Sequence, residues 1–415
     1  MSSQVAPARR VAYRVIRRVF ERGAYADRAL HAETRTLDRR DRALAMQLAY
    51  GTIQRRRTLD DLIDRLSDRA AGRLDPPIRA ALELGLYQLA YLTAVPDHAA
   101  VHESVELAKR EARAGSGLVN AVLRRAAAAR DALLDGLTDD TPEHAAVKHS
   151  VPDWLAAHLW DELGADEARR LLAHVNEPPE SALRINTLKA REDRELPVAN
   201  HRDPETPEAR ILDRAFDVFA SELWLDGEVM PQSRASMLVA RSLGPQAGER
   251  VLDLCAAPGG KTTHLAALMG GQGQITAVEV HPGRAQGLTR TCERMGAHNV
   301  EVVQADGRQF AAAELYDRVL VDPPCSGLGT LQSRPDLRWQ ERRGDPAKQR
   351  ALLKAGAAAL KPGGTLVYSV CTISRAEGEE VVEAAADELE LIATRQTLPH
   401  RDHTDGFFIA TLRRR

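Results

Sequence analysis

Cysteine is scarce. The 415-residue chain has four, Cys255, Cys292, Cys325 and Cys371, with no Cys-x-x-Cys pair and no histidine partner at zinc-finger spacing. Neither a disulfide framework nor a structural zinc is indicated, and no metal is expected. Aromatic residues make up only 4%, so no side chain stands out as a platform for stacking a nucleobase. No apolar run approaches the roughly 18 residues of a membrane span. The residues after Met1 lack the apolar stretch and small-residue cleavage site of a secretory signal. A cytoplasmic location without a membrane partner is expected. Lysine is missing from residues 1–57, which hold 14 Arg against 5 Asp plus Glu. That stretch carries +9, so the rest of a chain with net charge −2 carries −11. A basic end on an acidic body suggests contact with a polyanion.

What is present is ordinary for a globular protein: 44% hydrophobic and 28% charged residues. At this length two or three domains are expected, each with its own core. Residues 1–145 read as helical throughout. Val11, Ala12, Val15, Ile16, Val19 and Phe20 fall on one half of a helical wheel, and Arg10, Arg14, Arg17 and Arg18 on the other. One face packs; the other is left for solvent or phosphate. A second helix starts at the acidic cap Asp38 and ends at Gly51. Breaks at Asp139-Asp-Thr-Pro142 and Asn176-Glu-Pro-Pro179 frame a region, 146–225, that reads as a connector or small accessory domain. Within it, Ala182–Leu188 alternates like a strand and residues 190–210 read as a loop.

From Asp226 to Arg415 strands and helices alternate, which implies a mostly parallel sheet covered on both faces. Strand-like runs are Val251–Leu254, Gln274–Val280, Val300–Gln304, Arg318–Val321 and Thr365–Val370, and Leu389–Thr394 with Phe407–Leu412 suggests an antiparallel edge. In such sheets ligands bind beyond the carboxyl ends of the strands. The first strand ends in Cys255-Ala256-Ala257-Pro258-Gly259-Gly260-Lys261, a glycine turn opening a helix, where a ligand can approach the backbone. The second ends in Glu279, about twenty residues after the glycines, where a carboxylate can accept from a ribose diol. The third ends at Asp306, placed to meet an adenine amino group. Together these outline an adenosine-shaped site. The fourth strand ends in Asp322-Pro-Pro-Cys325-Ser-Gly327 and the fifth in Val370-Cys371. If the two are neighbours, their ends lie about 5 Å apart and both thiols face one ligand beside Asp322. Cys255 and Cys292 read as inert filler in the same scheme.

These motifs carry two resemblances. The segments Leu37–Ala45, Ala49–Ile53, Arg55–Asp60, Ala100–Lys109 and Leu118–Arg124 resemble the NusB-like RNA-binding helical domain. The cofactor turn, Asp-Pro-Pro-Cys-Ser-Gly, Cys371 and Asp405-Gly-Phe-Phe-Ile-Ala410 resemble the Sun/RsmB family of S-adenosylmethionine-dependent RNA 5-methylcytosine methyltransferases. The resemblance implies a multidomain fold: a NusB-like helical domain over 1–145, a connector over 146–225, and a Rossmann-like class I methyltransferase domain over 226–415. It implies S-adenosyl-L-methionine as cofactor, held by Cys255, Ala256, Ala257, Pro258, Gly259, Gly260, Lys261, Glu279, Asp306 and Asp322. RNA is the implied partner, most plausibly of the small ribosomal subunit, with Arg10, Arg14, Arg17 and Arg18 as its contacts. No obligate protein partner is indicated, so a monomer is expected.

The implied chemistry needs two cysteines because carbon 5 of cytosine is a poor nucleophile. A thiolate at Cys371 adds to carbon 6 and activates carbon 5, Asp322 donates toward N3, and Cys325 assists release. The family has Thr-Cys where this chain has Val370-Cys371, so one hydroxyl near the thiol is missing. Three rivals are weighed against this reading, one of them an amine methyltransferase, which could use Asp-Pro-Pro but would want an aromatic residue where Cys325 stands and has no need for Cys371. Cys255–Thr262 approaches the phosphate loop of an NTPase, but Cys255 stands at its first glycine position and Pro258 stiffens it. A non-catalytic RNA-binding assembly factor has no use for the intact cysteine pair.

Overall fold

The helices of the first half form because apolar residues recur at helical spacing and breakers stop them. The computed structural model describes residues 5–191, 193–340 and 344–415. Among these, two compact units separate: 5–177 with 334–340, and 178–333 with 344–415. The first is helical. It comprises α1 (Pro7–Arg22), α2 (Ala26–Glu33), α3 (Arg39–Gln54), α4 (Arg56–Leu66), α5 (Pro76–Tyr91), α6 (Asp97–Glu111), α7 (Ser116–Ala128), α8 (Pro142–His149), α9 (Asp153–Leu163) and α10 (Ala165–His174). On α1, Val11, Ala12, Val15, Ile16 and Val19 are buried as the wheel requires, each large one contributing about 1.5–3 kcal/mol. The helix stops at Gly23, whose φ of +61° is left-handed. The Asp38 carboxylate caps α3 by accepting the Asp41 N–H at 2.8 Å.

Residues 334–340 pack with this helical unit although they follow the Asp-Pro-Pro-Cys motif in sequence. Trp339 donates its indole N–H to the Ile53 carbonyl at 2.9 Å and meets the Phe20 ring edge-on. Arg338, fully buried, donates to Asn176 Oδ1 and to the Val175 carbonyl.

The second unit holds two sheets. The smaller has the order β2 (Asn200–His201), β3 (Ala209–Leu212), β1 (Ala182–Ile185), β4 (Val229–Pro231), all antiparallel. The larger contains β5 (Arg250–Asp253), β6 (Gln274–Glu279), β7 (Val300–Gln304), β8 (Tyr316–Val321), β9 (Leu360–Val370), β10 (Leu389–Gln396) and β11 (Phe408–Arg414). Its order is β10-β11-β9-β8-β5-β6-β7, with β5 to β9 parallel and β10 and β11 antiparallel. Helices α12 (Arg234–Leu243), α13 (Gly260–Leu268), α14 (Pro282–Met295) and α15 (Pro346–Ala359) cover it, and a separate apolar cluster fills each face. The strands expected from sequence, the parallel core and the antiparallel edge are all present. β8 and β9 are neighbours in register, Val321 opposite Tyr368.

The connector expected over 146–225 does not form a unit of its own. Helices α8 to α10 pack with the helical unit, while β1, β2 and β3 are laddered with β4, which lies in the stretch assigned to the catalytic domain. Strands of two to four residues offer too little alternation to betray a sheet.

Candidate functional site

β5 is the point where the sheet changes direction of winding, with β6 on one side and β8 on the other, and the crevice at such a point receives the ligand. The turn leaving it is built from small residues. Ala257–Pro258 is a cis peptide bond, and Gly259 has a φ of +103°. A Cβ on Gly259 would lie 2.8 Å from Leu288 Cδ1, so both conformation and space demand glycine. A Cβ on Gly260, by contrast, meets nothing within 4 Å, leaving open space beside the first N–H groups of α13. Beneath the turn, Asp253 accepts the Thr262 hydroxyl at 2.7 Å while its other oxygen is buried without a partner. Burial pushes this carboxyl up to about 6, against the opposing hydrogen bond from Thr262.

Glu279 ends β6, buried, accepting the His281 N–H at 2.8 Å and facing Arg284 at 3.3 Å. Asp306, after β7, accepts the Arg308 backbone N–H and its guanidinium, which hold its carboxyl down at about 2. An amino group arriving at Asp306 therefore shares it with Arg308. The open glycine turn, exposed helix start and two strand-end carboxylates fit a ligand with a ribose diol and amine donors.

On the other side of β5 the chemistry concentrates. Asp322 ends β8; its Oδ2 accepts from Lys261 Nζ at 2.9 Å and its Oδ1 from the Ser369 hydroxyl at 2.7 Å. Burial alone would lower the Lys261 ammonium, but Asp322 outweighs it and the net direction is upward; a charge on Cys371 acts the same way. The Lys261 ammonium also lies 5.0 Å from the centre of the Phe407 ring. Cys371 follows β9, and its Sγ is 3.2 Å from Cys325 Sγ. The Cys325 thiol is raised by that hydrogen bond first and by burial second. Two glycines fasten the backbone here: Gly329 donates to the Cys371 carbonyl at 3.0 Å, and Gly406 donates to the Gly329 carbonyl at 2.8 Å. A Cβ on Gly329 would stand 1.8 Å from the Gly406 carbonyl oxygen.

The residues named from sequence thus divide. Cys325 and Cys371 touch and Lys261 pairs with Asp322, while Cys255 to Gly260 form the turn after β5 and Glu279 and Asp306 stand at the ends of β6 and β7. Burial raises the thiols of Cys255 and Cys292, the latter to about 12, as inert packing residues require. Arg10, Arg14, Arg17 and Arg18 lie on α1 in the helical unit. Three of them hold carboxylates: Arg14 and Arg18 share Glu33 at 3.0 and 3.1 Å, and Arg17 holds Glu21 and Glu111.

Sequence reasoning missed Ser369 and the direct Lys261–Asp322 pair. The first had a signal, since Ser369 and Cys371 share one face of a strand at period two. The pair had none, its members being 61 residues apart. Next to the two thiols in sequence, Thr372 Oγ1 lies 2.8 Å from Ser326 Oγ.

The chain resembles known proteins along nearly its whole length. Residues 240–413 match the family described as 16S rRNA methyltransferase RsmB/F, and residues 6–128 match the NusB family. The chain is 38% identical to a probable ribosomal RNA small subunit methyltransferase B of Synechocystis, over 98% of this chain and 99% of that protein. It is 33% identical to the ribosomal RNA small subunit methyltransferase B of Klebsiella pneumoniae, covering 98% of each. Among solved structures, PH0851 matches with a TM-score of 0.80 at 26% identity over 99% of both chains. A methyltransferase homologue from Pyrococcus horikoshii matches 66% of this chain and 99% of its own, with TM-score 0.59 and 28% identity.

Proposed function

Since the chain belongs to the RsmB family of ribosomal RNA small subunit methyltransferases, we propose that it methylates carbon 5 of a cytosine in small-subunit ribosomal RNA through a covalent cysteine adduct. The observation that carries this reading is the pair of thiols 3.2 Å apart beside Asp322. A methyltransferase acting on an already nucleophilic amine needs neither thiol.

The methyl donor is S-adenosylmethionine, whose sulfonium, when bound, supplies an electrophilic methyl group. The residues Cys255 to Lys261, Glu279, Asp306 and Asp322 hold it. Cys371 is the nucleophile. A free thiol with pKa near 8.5 is mostly protonated at neutral pH, so attack requires a cation at the site, and Lys261, paired with Asp322, is that cation. As Cys371 Sγ bonds to carbon 6, electron density moves onto the N3 side of the ring. Asp322 faces that edge. In the resting geometry it accepts from both Lys261 and Ser369; the proton it passes to N3 is the one Cys371 releases on attack, and the Lys261 ammonium stays charged beside it. After methyl transfer the carbon 5 proton leaves to a base, the Cys371–carbon 6 bond breaks, and Cys325 assists that release. The cytosine must be unstacked, because carbon 6 is shielded within a helix.

The test is methyl transfer from labelled S-adenosylmethionine to a small-subunit ribosomal RNA transcript, with nucleoside analysis. Wild type yields 5-methylcytosine, Cys371→Ala yields none, and Cys325→Ala accumulates a protein–RNA adduct. Labelled product at any other atom, or a fully active Cys371→Ala, refutes the reading.

A further inference from the structure

The chain around Cys325 is gripped on both sides by one buried pair, Glu377 and Gln349. Glu377 lies in the segment after Cys371 and is 3% exposed; Gln349, on α15, is wholly buried. Glu377 Oε2 accepts the Ser326 backbone N–H at 2.9 Å and one Gln349 amide N–H at 2.9 Å. The Gln349 amide also donates to the Pro324 carbonyl at 3.1 Å. The peptide groups flanking Cys325 are therefore tied to a single carboxylate, directly on one side and through Gln349 on the other. Tyr368 fixes the same residue from behind, its hydroxyl donating to the Glu377 carbonyl at 2.6 Å. Gly344 passes so near that a Cβ there would sit 1.9 Å from Oε2.

A buried carboxylate next to a thiol opposes ionisation of that thiol, since like charges repel strongly where water is excluded. Glu377 acts on Cys325 in this sense, adding to the hydrogen bond with Cys371 and to burial. On the Cys371 side stands Lys261, whose ammonium, against burial, is raised by Asp322 first and by a charge on Cys371 after it. The two thiols touch; Glu377 and Asp322 both raise Cys325, and Asp322 in turn is paired with Lys261.

We propose that Glu377 is a positioning residue: through the Ser326 N–H and Gln349 it holds Cys325 as the neutral thiol facing Cys371, and so gives the nucleophile's part to Cys371. This rests on the two-cysteine reading above and deepens it.

The experiment reads the thiols themselves, in the full chain without RNA. Iodoacetamide alkylation of each cysteine is followed across a neutral-to-alkaline pH series by peptide mass spectrometry, for wild type and for Glu377→Gln. Glutamine keeps the shape and an accepting oxygen and removes the charge. In wild type Cys371 reacts at lower pH than Cys325. In Glu377→Gln the Cys325 profile moves down by about one pH unit and the gap narrows. Cys325 reacting first in wild type, or identical profiles in the two proteins, overturns the proposal.

If Glu377→Gln does not fold, the wild-type order and Gln349→Leu decide. That variant keeps the charge and frees the Pro324 carbonyl, so the alkylation order persists while kcat for methyl transfer falls about tenfold with KM for S-adenosylmethionine unchanged. An unchanged kcat overturns the positioning role. Alkylation needs no substrate, so its failure is distinguishable from failure of the cytosine reading, which nucleoside analysis of wild type decides alone.

Discussion

Charged side chains meet under opposite conditions on α1 and at the ends of β8 and β9. On α1, Arg14, Arg17 and Arg18 reach sideways to Glu33, Glu21 and Glu111 at a wet surface, where such pairs are worth about 0.2–1 kcal/mol each. At the strand ends Lys261 pairs with Asp322, the two thiols touch, and Glu377 is buried behind Cys325. The first set pairs along a helix surface; the second gathers at the ends of two neighbouring strands, beside the thiols. A basic stretch in a sequence is thus a weaker pointer to a polyanion than its count suggests, while a few acids at strand ends are a stronger pointer to chemistry.

Substitutions sharpen this contrast. The largest effect is expected from Cys371→Ala, which lowers methyl transfer at least about 10³-fold in the labelled-donor assay with cofactor binding retained. Lys261→Met leaves Asp322 without its cation and is expected to reduce kcat about 10²-fold, read from initial rates at saturating RNA. A loss below threefold would mean that the buried field is not aimed at the reaction.

Asp253 gives a pH-dependent case. Because burial lifts its carboxyl to about 6, the fold prefers the neutral form; that contribution is complete in acid and is lost as pH rises through 6. Asp253→Asn, which keeps an oxygen for Thr262, is expected to match wild type near pH 4 and to exceed its stability above pH 7 by at most about 3 kcal/mol. Thermal melts at the two pH values check this, and equal gains at both contradict it. The smallest effect is expected on α1. Replacing Arg14, Arg17 and Arg18 together by Ala is expected to change the salt slope of RNA binding by less than about one, against nearly three for unengaged cations, measured by fluorescence anisotropy. A change near three would restore that face as a phosphate surface.

Much of the catalytic half is legible in the sequence because parallel strands leave continuous apolar runs and their ends leave breakers. Val251 to Lys261, Glu279, Asp322 and the late antiparallel edge are visible for this reason. What stays hidden is pairing at a distance. Nothing near Arg17 signals Glu111, 94 residues on, and nothing near Cys325 signals Glu377. The short strands β1 to β4 escape as well, since a ladder of a few residues is defined by its partners more than by its own pattern. Residues 334–340 are the sharpest instance: their neighbours in sequence lie in one unit and their packing partners, Phe20, Ile53 and Val175, in the other.

The contact of Gly329 with Gly406 bears on how the protein is made. β9, which delivers Cys371, lies between β8 and β11, and β11 is synthesised after β10. Until Gly406 and the strand behind it emerge, Gly329 lacks its donor and β9 has one bare edge. The nascent chain thus carries both thiols before the strand and the glycine contact that frame Cys371 have emerged.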